Sequence, residues 1–215
     1  MCQSHLPAEW ELREVRETHA YYSAIPPESA RLPALCFIRN PWDWYVSWYE
    51  FTTRYMSSGG RGERPMPATN PWYTLFDAGR RPFRGTVITA CTRDEGNRPW
   101  ELAMREWDVD LCTAMFWLMT GHAPAPPQDG SALAPLFPRD PKVQTGRYEH
   151  FREDFTAFVE RNEIPAPAEF MRAIREEPPR HESIRRPYRE YYDAELRELV
   201  AEKARHLIEE YDYEF

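Results

Sequence analysis

The segment that most constrains the fold is residues 34–51, where a short apolar run turns abruptly into a stretch rich in aromatic rings. Residues 34–38 (ALCFI) have the length of a strand, and an unbroken apolar run is typical of a strand covered on both faces in a parallel sheet. Asn40 can cap a following helix, Pro41 suits its first position, and Asp43 places negative charge in its first turn. The segment therefore predicts a strand, a sharp turn and a helix.

The rest of the chain carries helical and strand patterns separated by proline-rich connections. These patterns predict helices at about residues 8–20, 83–91, 108–119 and 151–161, a loop at 57–70, a second strand at 142–148, and a helix that begins at Asp193. Strands that alternate with helices through long connections favour an α/β fold. A chain of 215 residues is long enough for one such domain with a full core, and we predict a single domain, 1–215.

The composition argues against several classes of function. A net charge of −8 disfavours a broad nucleic-acid or anionic-membrane surface, although it leaves room for a local cationic pocket. The four cysteines are scattered and have no C-x-x-C spacing, so we predict no disulfide framework. The histidines are not paired with acidic residues or cysteines at the spacing of metal ligands, so we predict no metal site. The first residues lack the pattern of a signal peptide, and no apolar run reaches the roughly eighteen residues of a membrane span. We therefore predict a cytoplasmic protein without a membrane span.

Arginine dominates the basic residues. Of 27 basic residues only Lys142 and Lys203 are lysines, and the guanidinium suits bidentate recognition of phosphate and sulfate. The same bias, together with 21 prolines, also follows from a GC-rich coding sequence. The arginine content alone therefore does not indicate phosphate or sulfate binding, and only the position of an individual arginine can.

Arg39 and Ser47 lie on either side of the predicted strand-to-helix turn. Ligands of open α/β sheets bind beyond the carboxyl ends of the strands, and a helix N-terminus favours anions. Ser47 follows Asn40 by seven residues, close to two turns or about 10 Å along the helix axis, so an extended Arg39 and Ser47 could meet one phosphate. The alternative is that Arg39 pairs with a carboxylate and Ser47 only relieves crowding among the rings.

Three stretches resemble the sulfotransferase family. The R-N-P sequence at residues 39–41, with Ser47 eight residues after Arg39, resembles the family's 3′-phosphate-binding motif. The sequence GRYEHFREDF (146–155) is similar to its strand-then-helix segment around R-Y-E, and residues 186–215 resemble its closing helix with a Y-x-F type of tail. The resemblance implies a P-loop nucleotide-binding fold with a mostly parallel sheet flanked by helices. It also implies sulfuryl transfer from 3′-phosphoadenosine 5′-phosphosulfate to a hydroxyl or amine acceptor, with carbohydrates among the candidates.

The resemblance also implies roles for individual residues. The sequence SHLPAEWELREV resembles the segment after the P-loop helix of several carbohydrate sulfotransferases. In some of those enzymes a histidine at this point acts as base, and His5 is the matching residue. The sequence HESIRRPY resembles a loop that contacts the nucleotide, and Arg185 and Arg186 are the matching residues. The alternatives are a histidine without a role and a solvated pair of arginines. Arg39 and Ser47 would contact the 3′-phosphate.

One element of the family has no counterpart in this sequence. Nothing before Ala34 matches the 5′-phosphosulfate loop, which is a strand followed by a glycine-rich turn, a lysine and a hydroxyl residue. We therefore expect an N-terminally truncated version of the fold, a start assigned too late, or another group in the role of that loop. The alternative function is a non-catalytic sulfotransferase-like module for nucleotide binding or assembly. The sequence indicates neither the acceptor nor the oligomeric state.

Overall fold

The described part of the chain is α/β and mostly helical, with a small two-stranded parallel sheet. The computed structural model describes residues 22–25, 29, 31–58, 77, 80–93, 95–123, 133, 142–178 and 185–215. The strands are β1 (Ala34–Ile38) and β2 (Val143–Arg147). The α-helices are α1 (Pro41–Ser58), α2 (Phe83–Thr92), α3 (Pro99–Trp107), α4 (Leu111–Thr120), α5 (Phe151–Arg161), α6 (Ala168–Glu176), α7 (Ala194–Lys203) and α8 (Arg205–Tyr211). Short 3-10 turns lie at Tyr22–Ala24, Tyr148–His150 and Tyr188–Tyr191. Among the described helices, none is long and apolar enough to cross a membrane.

Most predicted elements within the described residues are confirmed. The strand at 34–38, the helix at 151–161 and the capping role of Asp193, which accepts a hydrogen bond from the Leu196 backbone at 2.8 Å, match the structure. The predicted helix at 8–20 and most of the predicted loop lie outside the described residues, and the start of that loop is the end of α1. Two helices, α3 and α6, were not predicted.

The helix predicted at 108–119 begins three residues later, at Leu111. Asp108 adopts a left-handed conformation with φ of 51° and ends the preceding helix, α3. Asp110 then caps α4, because its carboxylate accepts a hydrogen bond from the Thr113 backbone at 2.9 Å. The prediction placed the N-terminus at the wrong one of two closely spaced aspartates, but the prediction that this helix is buried is confirmed.

The chain divides into two compact units, Met1–Arg39 with Trp117–Glu182 and Asn40–Phe116 with Ser183–Phe215. We call them the sheet unit and the helical unit. The sheet unit contains β1, β2, α5 and α6, the helical unit contains α1, α2, α3, α7 and α8, and the division falls within α4. The prediction of one domain over 1–215 stays a prediction.

The sheet unit is built on the parallel pair of β1 and β2. Their register runs from Ala34 opposite Val143 to Ile38 opposite Arg147. Gly146 permits a close approach of α5, since a Cβ atom there would lie 2.8 Å from the Phe37 ring and 3.0 Å from the Cβ atom of Asp154. A second apolar layer lies between α5 and α6, with Phe158, Val159, Phe170 and Met171 at its centre and Leu35 of β1 packed against it. Apart from Ile38, the residues of β1 are only half-buried.

In the helical unit, α1 is packed against its neighbours through its own aromatic side chains. Tyr45 and Val46 are fully buried, and Trp42 is nearly so. The hydroxyl of Tyr45 donates to the buried carboxylate of Asp110 at 2.9 Å, and the Tyr49 ring meets Phe83 of α2 edge-on at 5.4 Å between centroids. Trp42, Tyr45 and Tyr49 therefore anchor this helix.

Candidate functional site

Arg39 lies directly beyond the carboxyl end of β1, in the sheet unit. The last residue of β1 is paired with Arg147, so two arginines occupy the carboxyl end of the parallel pair. The guanidinium of Arg39 lies over the Tyr148 ring at 4.8 Å from its centroid, and that ring is 53% exposed. A ring contact attracts a guanidinium without cancelling its charge. The arrangement gives Arg39 a defined direction at the sheet edge where α/β proteins bind ligands.

The neighbouring backbone at this sheet edge is also fixed. The Arg147 N–H donates to the Asp154 carboxylate of α5 at 2.6 Å, which ties the end of β2 to the helix that follows it. The 3-10 turn Tyr148–His150 connects the two elements and carries the ring that contacts Arg39. The R-Y-E sequence therefore supplies a structural partner for Arg39, a role that the sequence alone did not indicate.

The first turn of α1 is capped as predicted. The side-chain oxygen of Asn40 accepts a hydrogen bond from the Trp42 N–H at 3.1 Å, and its carbonyl oxygen accepts one from the Trp44 N–H at 2.8 Å. The amide nitrogen of the same side chain donates to the Glu214 carbonyl oxygen at 2.9 Å. Asn40 is therefore both a helix cap and a link between α1 and the last residues of the chain.

Arg185 forms an ion pair with Asp43 in the first turn of α1. The guanidinium nitrogen and the carboxylate oxygen are 2.5 Å apart, and each side chain is 15% exposed. The charge of Arg185, which the resemblance assigned to nucleotide binding, is therefore balanced by a carboxylate. A guanidinium has five N–H donors and retains others beyond this pair, so contact with a nucleotide stays a prediction for Arg185.

Arg186 is exposed and lies over the Tyr191 ring at 4.8 Å from its centroid. The hydroxyl of Tyr191 donates to Glu50 of α1 at 2.7 Å, and burial together with this bond raises the pKa of Tyr191 above its ordinary value. Arg186 is thus attached to α1 through an aromatic ring. Its nucleotide role also stays a prediction.

Ser47 is half-buried on a face of α1 that differs from the anchoring face of Tyr45 and Val46. Helical spacing puts Trp44 and Phe51 on the same face as Ser47, three residues before it and four after it. The indole rings of Trp44 and Trp48 stack at 5.0 Å with 27° between their planes, and Phe51 is 64% exposed. A single hydroxyl therefore lies beside aromatic rings, as the sequence predicted, and its interaction with a ligand stays a prediction.

The predicted site residues divide between the two units. Arg39 belongs to the sheet unit, whereas Ser47, Arg185 and Arg186 belong to the helical unit. His5 lies outside the described residues. The convergence of Arg39 and Ser47 on one anion is therefore still a prediction.

A buried polar cluster in the helical unit surrounds Asp110. Its carboxylate is bonded to Tyr45 and to the α4 backbone, and burial raises its pKa above the ordinary value. Burial also raises the pKa of Cys91 and of Cys112 well above that of a free thiol, with a further contribution from the nearby Asp110 charge. Buried thiols held in the protonated form are poor nucleophiles, so we assign this cluster a structural role.

No group of three or more His, Cys, Asp or Glu residues in the described ranges has an arrangement that could hold a metal ion. Comparisons of the chain with protein-family models, with curated proteins and with solved structures find no match. The resemblance to sulfotransferases thus stays a hypothesis from sequence. The function has to be argued from the residues themselves.

Proposed function

We propose that this chain is a sulfotransferase-like protein that moves a sulfuryl group from 3′-phosphoadenosine 5′-phosphosulfate to a hydroxyl or amine acceptor. The observation that carries the proposal is the strand, turn and capped helix at residues 34–58, with Arg39 directly after the strand. This is the local structure that the R-N-P motif of the family implies. It is also the local structure that general rules for α/β proteins associate with anion binding. We further propose that the P-loop nucleotide-binding fold underlies it.

In this proposal Arg39 and Ser47 contact the 3′-phosphate, the arginine through charge-assisted hydrogen bonds and the serine as a neutral donor. Arg186 is a stronger candidate for an additional contact than Arg185. The reason is that the Arg186 guanidinium lies over a ring, whereas that of Arg185 is paired with the Asp43 carboxylate. Arg185 instead supports the first turn of α1.

The proposed reaction forms a bond from the acceptor oxygen or nitrogen to sulfur and breaks the bond from sulfur to the 5′-phosphate oxygen. The products are the sulfated acceptor and adenosine 3′,5′-bisphosphate. The proton of the acceptor passes to His5, whose imidazole titrates in the range that suits a base near neutral pH.

Calorimetric titration tests the nucleotide site. We expect adenosine 3′,5′-bisphosphate to bind the purified chain, and Arg39→Ala to weaken that binding at least about tenfold because a charge-assisted pair is lost. Arg39→Lys should recover only part of the affinity, since it keeps the charge but not the bidentate geometry. Adenosine 5′-monophosphate is the matched ligand control, because its binding should not respond to Arg39→Ala. Absence of bisphosphate binding, or equal binding by Arg39→Ala, would contradict the proposal.

The second candidate is a nucleotide-binding or assembly module without catalysis. Residues 1–33 contain neither glycine nor lysine, and in the sulfotransferase family a glycine-rich turn with lysine supplies much of the stabilisation of the leaving phosphate. Turnover of labelled sulfonucleotide with a panel of hydroxyl and amine acceptors separates the two. Bisphosphate binding without any transfer would favour the module, and transfer that His5→Ala abolishes would favour the enzyme.

A further inference from the structure

We propose that Glu214 and Phe215 act as a latch that positions the first turn of α1 by fixing the side chain of Asn40. The effect of this latch on nucleotide binding rests on the proposed function. Its effect on the first turn of α1 does not. All residues of the latch belong to the helical unit.

The ring of Phe215 lies in a socket of aromatic side chains and guanidinium groups. Three rings meet it nearly edge-on, with centroid distances of 5.5 Å for Trp42, 5.7 Å for Tyr188 and 5.7 Å for Tyr192. The guanidinium groups of Arg189 and Arg197 lie 6.0 Å and 5.5 Å from its centroid. Edge-to-face and cation–π contacts each contribute about 0.5–1.5 kcal/mol, so this ring is the main anchor of the segment.

The backbone of the same two residues is held by side-chain donors. The Glu214 carbonyl oxygen accepts from the Asn40 amide at 2.9 Å and from the Tyr188 hydroxyl at 3.4 Å. The Phe215 carbonyl oxygen accepts from the Arg189 guanidinium at 2.8 Å. The Glu214 side chain is exposed, so this residue takes part through its carbonyl group alone. Its identity should therefore matter little, whereas the ring of Phe215 should matter greatly.

The bond from Asn40 to Glu214 decides which way the Asn40 amide points. Only the oxygen of a side-chain amide can accept the Trp42 N–H, and the nitrogen can only donate. With the nitrogen bonded to the Glu214 carbonyl oxygen, the oxygen is turned toward Trp42 and caps the helix at 3.1 Å. A flipped amide would lose both bonds at once. Because Asn40 is buried, water cannot readily replace them.

Trp42 couples the ring socket to the same turn of α1. Its indole N–H donates to the Arg197 carbonyl oxygen at 3.1 Å, and its own carbonyl oxygen accepts from the Tyr192 hydroxyl at 2.9 Å. Both Trp42 and Tyr192 also contact the Phe215 ring. Removal of that ring therefore loosens the Trp42 side chain, and the remaining bonds keep the helix formed. The expected result is a more mobile first turn in a folded protein.

Two readouts test the latch, namely hydrogen exchange of the Trp42 amide by NMR and calorimetric affinity for adenosine 3′,5′-bisphosphate. For Phe215→Ala we expect about tenfold faster exchange at Trp42 and about fivefold weaker bisphosphate binding, since the cap is open for a larger fraction of the time. Glu214→Ala is the matched control and should stay within about twofold of the parent in both, because it keeps the carbonyl group. Phe215→Tyr should restore both values. Unchanged exchange at Trp42 in a folded Phe215→Ala protein would overturn the latch.

Asn40→Ser provides a second variant that leaves the Phe215 ring in its socket. On its own it should speed exchange at the Trp42 amide, because the cap is no longer fixed by the bond to Glu214, and exchange as slow as in the parent protein would overturn the latch. Serine keeps an acceptor for the Trp42 N–H but is too short to reach the Glu214 carbonyl oxygen. If the two residues act as one device, adding Phe215→Ala to Asn40→Ser should increase exchange by much less than tenfold. If Phe215→Ala increased exchange at Trp42 by the same factor in Asn40→Ser as in the parent protein, the latch would be overturned. If the parent protein binds no bisphosphate, the nucleotide function and the effect on binding both fall, and exchange alone then decides whether Glu214 and Phe215 position α1.

Discussion

The first turn of α1 and the carboxyl end of β1 are neighbours in the sequence, joined through Asn40, yet they are held in different ways. In the first turn, Asn40, Trp42 and Asp43 each bond to the segment 185–215. At the strand end, Arg39 lies over the half-exposed ring of Tyr148. The helix turn is preorganised, which lowers the entropy lost on binding, whereas a long arginine on a ring can adjust to its ligand. Substitutions should therefore reduce stability mainly in the first region, and reduce affinity with little loss of stability in the second.

The largest effect is expected for Asp43→Ala. It leaves Arg185 without its carboxylate in a site where each side chain is 15% exposed, and it also removes negative charge from the N-terminal turn of α1. We expect the free energy of unfolding to fall by about 2–3 kcal/mol, measured by urea denaturation. The matched control is Glu198→Ala, which removes an exposed ion pair with Arg197 and should cost less than about 1 kcal/mol. Equal losses of unfolding free energy for the two variants would contradict the stabilising role of the Asp43–Arg185 pair in the first turn of α1.

A second effect is expected in the pH dependence of stability. It arises from Asp110, whose carboxylate accepts a hydrogen bond from Tyr45 of α1. Burial raises its pKa in the folded protein, so the folded state binds more protons than the unfolded state above the unfolded pKa of about 3.9. Its contribution to stability is therefore complete below the unfolded pKa and is lost as pH rises through the raised folded value, by at most about 1.4 kcal/mol per pH unit. Denaturation across this range should show the decline in the parent protein and not in Asp110→Asn. The same slope in both proteins would assign it to other groups.

The smallest effect is expected at the strand end. Tyr148→Ala removes the ring beneath Arg39, worth about 0.5–1 kcal/mol for a cation–π contact at an exposed site. We expect bisphosphate affinity to fall about two- to fivefold with little change in the free energy of unfolding, and Tyr148→Phe to restore the affinity. Calorimetry and denaturation on the same samples give both values. A loss of stability larger than that of Asp43→Ala would reverse the comparison.

Local signals in the sequence predicted much of the fold. The Asn40-Pro41 pair and Asp193 mark helix starts by capping chemistry, and the apolar run at 34–38 marks the strand, because all these signals act within a few residues. The start of α4 was misplaced because Asp108 and Asp110 are both good caps, and only the backbone, with Asp108 in a left-handed conformation, distinguishes them. The helix α3 carries a local signal that was missed, Glu101 in its first turn, whose carboxylate accepts a hydrogen bond from the Arg98 N–H at 2.9 Å.

Partners in the candidate site could not be predicted in the same way. Asn40 bonds to Glu214 across 174 residues of sequence, and Asp43 pairs with Arg185. Such pairs depend on how distant elements pack, and no periodicity or spacing in a single sequence encodes them. The sequence predicted that Asp43 would interact favourably with the helix dipole, and the structure places it in the first turn of α1. Only the structure shows that the same carboxylate also balances the charge of Arg185.

A crystal structure of the chain soaked with adenosine 3′,5′-bisphosphate tests the central claim most directly. The account predicts 3′-phosphate oxygens within about 2.7–3.1 Å of both the Arg39 guanidinium and the Ser47 hydroxyl. A nucleotide bound through other residues, with Arg39 still over Tyr148 and no anion near Ser47, would contradict it.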